Sequence, residues 1–263
     1  MRRPAAGLQR PRADRLTALE REAPAWAPWF ALWRAAEEMR AGAPAVRVSL
    51  APVRGANAPL LDGAAVQVDV GWARTAIDRL CSAARVEWAG SPLTLLSTAM
   101  EQRPPDAPGA AAIGQFALVV LLARSADLAG RVPVHWTEGY CPVCGAWPIR
   151  AELRGVARAR HLRCGRCGAD WTAPALRCTY CGESRHDHLG ALSVEGELDR
   201  RRVETCHSCH RYLKTFAALL PATPLDMLAD DLETLPLDVV AGDRGFSRPD
   251  TPGYRVTVGF DAC

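Results

Sequence analysis

No stretch of the 263-residue chain is apolar for long enough to cross a bilayer, which takes roughly 18 consecutive residues. The nearest run, Ala110 to Ala123, is shorter and contains Gly114 and Gln115. The opening residues Met1-Arg2-Arg3-Pro4 lack the apolar core of a secretion signal, and the terminal Cys263 lacks the aliphatic tail of a prenylation site. The expected location is therefore the cytoplasm, with no membrane insertion. A strong excess of charge is missing too: 32 basic against 29 acidic residues leave a formal charge of +3, too little for a dedicated nucleic-acid binder. Without an oxidising compartment disulfides lose their usual setting, so ten cysteines need another explanation.

What is present is a 49% apolar content, enough for a core, in a length that suits one large or two to three small domains. Eight cysteines stand as four Cys-x-x-Cys pairs: Cys141 and Cys144, Cys164 and Cys167, Cys178 and Cys181, Cys206 and Cys209. Two thiolates at this spacing grip one metal ion across a tight turn, and a second pair completes a tetrahedral site, so four pairs make two sites. Gly145, Gly168 and Gly182 follow the first three pairs; a positive φ at glycine lets the turn close with its N–H groups aimed at sulfur.

In chain order, 19 residues (145–163) separate the first pair from the second and 24 (182–205) the third from the fourth. The first spacing is a close match to that of metal ribbons and the second runs slightly long. Each spacer reads as a hairpin. Trp147 to Leu153 is answered by His161 to Arg163 across Arg154-Gly155, and His188 to Val194 by Arg202 to Thr205 across Glu195-Gly196-Glu197. The region is thus an internal repeat of two ribbon modules. Spacing alone leaves open a crossed pairing of the first pair with the third.

Other uses of the pairs fit less well. Thioredoxin-like chemistry wants one Cys-x-x-Cys in a βαβ setting. Cys206-His207-Ser208-Cys209-His210 satisfies the c-type haem attachment pattern, but that use needs export and would orphan the third pair. A cage closed by four thiolates offers no position to substrate or water, so no residue is assigned a catalytic role; iron in the same cage can still move one electron. With eight cysteines filling two sites, His186, His188, His207 and His210 read as surface or supporting groups.

Residues 141–216 carry 13 Arg or Lys and 8 Asp or Glu, a local +5 that eight thiolates around two divalent ions reduce to about +1. The arginines then mainly offset sulfur charge. The competing function is a zinc-ribbon nucleic-acid binder in which Arg158, Arg160, Arg163 and Arg166 contact phosphate. Each ribbon is too small to bury a sufficient core. The metal must supply much of its folding free energy, an apparent ~10–16 kcal/mol for structural zinc in small peptides, so chelation is expected to melt residues 138–216 and spare the helices before them.

Elsewhere the pattern is helical. Leu16, Leu19, Trp26, Trp29, Phe30 and Trp33 recur at helical steps interrupted near Pro24 and Pro28, an aromatic stripe read as core. Residues 41–63, rich in Ala, Pro and Gly, read as an extended connection. Helices are expected over Val70–Ala84, Pro92–Gln102 (with Ser91 as N-cap) and Ala111–Leu128, the last apolar nearly all round and so central. Cys81 reads as a small core residue. Residues 1–12 are expected to fray, and Pro104 to Gly109 to form a loop. Thr223-Pro224 starts a helix with an acidic face (Asp226, Asp230, Asp231, Glu233) that reads as solvated, Pro236 breaks or kinks it, and the tail from Arg244 reads as irregular. The expected fold class is α+β: an α-helical domain at 13–130, four-cysteine ribbons at 138–174 and 175–216, and a C-terminal helix with irregular tail at 217–263.

With these residues in place, the chain resembles the FdhE family of formate dehydrogenase accessory proteins. The resemblance is carried by Gly139-Tyr140-Cys141-Pro142-Val143-Cys144-Gly145, by His161-Leu162-Arg163-Cys164-Gly165-Arg166-Cys167 with Trp171, and by Cys178-Thr179-Tyr180-Cys181-Gly182. Glu204-Thr205-Cys206 to Cys209 with Tyr212-Leu213-Lys214, and Leu228-Ala229-Asp230-Asp231-Leu232, extend it to roughly residues 138–240. It implies two rubredoxin-like ribbons, each holding iron or zinc through four cysteines, with iron favoured. It also implies a non-enzymatic cytoplasmic factor that contacts the catalytic subunit of a formate dehydrogenase during maturation. Self-association is left open. Pro236 and the ending Thr251 to Cys263 depart from the family pattern.

Overall fold

In a computed structural model, the structure describes residues 12–52, 55–103, 107, 109–123, 125, 128, 135–194, 198 and 200–263. The expected frayed tail, most of the Pro104–Gly109 loop, the turn Glu195–Glu197 and parts of 124–134 lie outside them.

Helix α1 (Arg12–Glu22) and helix α2 (Ala27–Arg40) meet at a single 3-10 turn, Pro24–Trp26. The two prolines interrupt the stripe because a proline ring fits only a first helical turn. Strands β1 (Arg47–Ser49) and β2 (Ala65–Val68) follow, then α3 (Val70–Ala84), α4 (Pro92–Met100) and α5 (Ala110–Leu122). Asp69 caps α3 by accepting from the Trp72 N–H at 2.9 Å. Ser91 precedes α4 as expected, though its hydroxyl makes no cap bond. Helix α5 is buried along most of its length and central, as its sequence predicts. Gly114 lets α4 approach it: a Cβ there would lie 2.7 Å from the Ala99 methyl.

The second half contributes β3 (Arg150–Arg154), β4 (Ala159–Arg163), β5 (Asp170–Thr172), β6 (Leu189–Leu192), β7 (Arg201–Cys206) and β8 (Arg211–Ala218). Both predicted hairpins form, β3 with β4 and β6 with β7. The two ribbons also join into one six-stranded sheet of order β5-β4-β3-β8-β7-β6, because β8 pairs parallel to β3 in the register Arg150 to Lys214. Strand β8 carries Tyr212, Leu213, Lys214 and Thr215 in succession as buried residues, without the alternation that marks a half-exposed strand.

Helix α6 (Pro224–Glu233) ends before Thr234, and α7 (Leu235–Asp243) restarts with Pro236 in its first turn, so the proline divides the predicted helix in two. The acidic face of α6 is not solvated as expected. Asp230 pairs with Arg150, and Asp231 with Lys214 at 3.0 Å and Arg248 at 2.5 Å, while Asp226 stays with its cap partner Thr223. Lys214, the single lysine of the chain, has no exposed side-chain surface and also reaches Asp238 at 2.6 Å. The helix turns carboxylates inward because the sheet beneath presents buried cations that need counter-charge.

Two strands lie where an extended connection and an irregular tail are expected. Within 41–63, β1 forms and pairs with β2, and in the tail β9 (Gly259–Ala262) pairs parallel with β2 in the register Val66 to Phe260. One apolar core contains α2, α3 and α5 together with Cys141, Val143, Cys144, Cys164, Trp171 and Leu213. Trp33 of α2 donates its indole N–H to the Leu225 carbonyl of α6 at 2.8 Å.

Candidate metal centre

The four knuckles are built alike. The N–H of Gly145, Gly168, Gly182 and His210 closes onto the carbonyl of Cys141, Cys164, Cys178 and Cys206 at 3.0, 3.2, 3.0 and 2.9 Å. The three glycines have φ of 72°, 76° and 76°, and His210 adopts 54° in the fourth turn, where the sequence has no glycine to announce it. Amide N–H groups aim at sulfur as the spacing predicts: Val143 donates to Cys141 Sγ at 3.3 Å and Arg166 to Cys164 Sγ at 3.4 Å.

Sulfurs gather in chain order. Cys141, Cys144, Cys164 and Cys167 form one group and Cys178, Cys181, Cys206 and Cys209 a second, with the ligand atoms of each within 4.8 Å of one another. The crossed pairing does not occur. Cys141 and Cys167 are 3.5 Å apart and Cys144 and Cys164 3.4 Å, while Cys178–Cys209 and Cys181–Cys206 are both 3.7 Å. A tetrahedron with ~2.3 Å metal–sulfur bonds has edges of about 3.8 Å, so both groups fit such an ion, the second more closely.

The electrostatics also call for a cation. In the first group burial pushes the Cys141 thiol well up, while hydrogen bonds from the other three thiols hold Cys164 well down. In the second, burial raises Cys178 to about 11; Cys206 is lowered despite burial because the N–H groups of Cys209 and Ser208 point at it. Four thiols set this close repel one another once ionised, and a divalent ion bound among them would offset that charge.

The surroundings were less legible in sequence. Arg160, Arg163 and Arg166 are buried, with 5%, 3% and 8% of their surface exposed. Arg160 pairs with Glu204 at 2.9 Å, Arg163 with Glu152 at 3.0 Å, and Arg166 donates to Gln115 Oε1 at 3.1 Å and the Met100 carbonyl at 3.0 Å. They stitch the ribbons to the rest of the chain and present no phosphate-binding face. Neither group includes a histidine: His188 Nδ1 faces Glu183 and Ser208 at 3.0 and 2.9 Å, and His207 packs on Phe246. An aromatic bridge, Tyr140 to Trp147 to Tyr180 with centroid spacings of 6.1 and 5.1 Å, runs between the knuckles of the two ribbons. Gly139 lies close to the Thr179 carbonyl, its missing side chain leaving room for it. Among the described residues no helix is long and apolar enough to cross a membrane.

Comparison with known proteins gives a consistent picture. Residues 176–252 match the family model described as FdhE, C-terminal domain. A "Protein FdhE homolog" of Haemophilus influenzae (strain PittEE) is 37% identical over 112 residues, covering 41% of this chain and 36% of the relative. One from Edwardsiella ictaluri (strain 93-146) is 34% identical over 128 residues, covering 47% and 41%. The chain thus aligns with well under half the length of these curated relatives. The crystal structure of the FdhE protein from Pseudomonas aeruginosa shares the fold, with a TM-score of 0.58 at 24% identity over 93% of this chain and 94% of that one. In its cysteine-bearing half the chain is similar in sequence to FdhE proteins, and it shares the fold of one of them.

Proposed function

We propose that this protein is an accessory factor for the maturation of formate dehydrogenase, acting in the cytoplasm without catalysing a reaction. Its eight knuckle cysteines would hold two metal ions, and the shared sheet would present both ribbons as one docking surface for the enzyme's catalytic subunit. The observation that carries this reading is the pair of four-sulfur groups set in a single sheet in a chain whose cysteine-bearing half is similar to FdhE proteins. Each cage is closed by sulfur, which suits a structural ion or one that shuttles an electron and does not suit hydrolysis. We take iron as the ion, as the family resemblance favours, although a four-sulfur tetrahedron also accepts zinc. The burial of Arg160, Arg163 and Arg166 weighs against the nucleic-acid reading.

The deciding experiment is anaerobic co-purification from cells expressing a formate dehydrogenase. The catalytic subunit is expected to accompany the intact chain and to be lost when Cys178 and Cys181 are both replaced by serine. Failure of the intact chain to retain that subunit would refute the reading. Metal analysis and the visible spectrum of the same preparation distinguish iron from zinc.

A further inference from the structure

The two sulfur groups are alike in geometry and unlike in access. In the first, Cys141, Cys144 and Cys164 have no exposed surface and Cys167 is half-buried, so none of the four is exposed. Its knuckles are roofed from three sides: the N–H groups of Leu60 and Leu61 donate to the carbonyls of Pro142 and Val143 at 2.9 Å, Gly145 lies against the Tyr254 carbonyl, and Gly168 against Pro224. In the second, Cys178 is 9% exposed, Cys209 is half-buried and Cys181 is exposed. Cys178 and Cys206 line a cavity of about 280 Å³, and Cys178 and Cys181 line another of about 310 Å³ walled by Tyr140, Trp147 and Tyr180. The nearest atoms beside Gly182 belong to the guanidinium of Arg177.

We propose that the first site is a closed structural site and that the second exchanges its ion with an incoming thiolate, Cys181 being the sulfur that leaves. This rests on reading both groups as metal sites. Ligand exchange at a full tetrahedral cage needs the new donor to reach the ion as an old one departs, and reactivity of a cysteine in such a step follows its exposure. The 310 Å³ cavity gives an incoming thiol a path to the face that Cys181 occupies. With an ion held by the four cysteines, the incoming thiol would give up its proton as its sulfur took the place of Cys181, and Cys181 would take up the proton; no electron would change hands. At the first site three sulfurs are covered and the half-buried Cys167 is the one partial opening, so exchange there waits on opening of the surrounding core.

The test uses the full chain loaded with two equivalents of zinc, exposed to glutathione in the presence of a chromogenic chelator. Release is expected in two phases of one equivalent each, the fast phase quicker by about tenfold or more. Cys181→Ser should abolish the fast phase and leave the slow one in place. In the unaltered holoprotein, N-ethylmaleimide labelling followed by peptide mass spectrometry should reach Cys181 and Cys209 well before Cys141, Cys144 and Cys164. Cys263, exposed and outside both groups, sets the unprotected rate. Release of both ions in one phase, or labelling of Cys141, Cys144 and Cys164 at the pace of Cys181, would overturn the proposal while leaving two metal sites standing. A chain that binds no ion overturns both readings.

Discussion

Glu152 holds three arginines on one carboxylate. It has no exposed surface, and it accepts from Arg150 at 2.6 Å, from Arg154, and from Arg163 at 3.0 Å. Burial raises its carboxyl, but the charge and hydrogen bonds of Arg150, then Arg154 and Arg163, outweigh burial and hold the group at about 2, below its ordinary 4.5. A folded value below the unfolded one stabilises the protein fully above the ordinary range and loses that contribution as pH falls from about 4.5 toward 2. Urea titrations across that window are expected to show falling stability. Glu152→Gln should flatten that dependence and, by stranding buried guanidinium groups, lower stability at neutral pH by about 3–5 kcal/mol. At Gly139 the constraint is steric: a Cβ would lie 1.7 Å from the Thr179 carbonyl, so Gly139→Ala must push the third knuckle away from the first ribbon. Metal analysis of that variant is expected to fall from two equivalents to about one, the loss falling on the second site.

Among the elements, β9 is where position in the chain says least about position in the fold. Its parallel pairing with β2 joins residues 65–68 to 259–262, and Phe260 sits largely buried against the helical half. Phe260→Ala is expected to cost about 3 kcal/mol, and hydrogen exchange should rise selectively at Val66 and Val68. The knuckles and both hairpins were legible because their causes are local: a cysteine spacing, a glycine able to take positive φ, a turn between alternating strands. Helix α3 was legible from its helical pattern, α4 from Ser91 and Pro92 at its start, and α5 from its apolar content, while the Asp69 cap of α3 went unread. Strand β8 was not, since its buried run Tyr212 to Thr215 includes a lysine whose partners, Asp231 and Asp238, lie on helices that follow it in the chain. The same distance hid the inward face of α6, where acidic residues at helical spacing look solvated until the buried cations of the sheet are placed beneath them. His210 escaped for the opposite reason. Its turn is imposed by the fold at a residue that does not favour it.

For the whole molecule, the shared core changes what metal removal should do. Reading the ribbons as independent modules predicts that chelation melts residues 138–216 and spares the helices. Yet Cys141, Cys144 and Cys164 lie in the same apolar core as α2, α3 and α5, and Arg166 ties the second knuckle to the end of α4. The second site is attached differently: the core beside β7 and β8 is a smaller cluster of Val203, Tyr212, Leu237, Ala241 and Phe246. Chelation is therefore expected to act in two stages. Loss of the exposed second ion should loosen β6 and β7 and open them to protease, with little change in helical circular dichroism. Loss of the enclosed first ion should remove the support of the common core, so helical signal and near-ultraviolet tryptophan signal should fall together in one cooperative transition. Helical signal that persists unchanged after both equivalents have been removed would mean that the first ribbon folds apart from the helices in spite of their joint core.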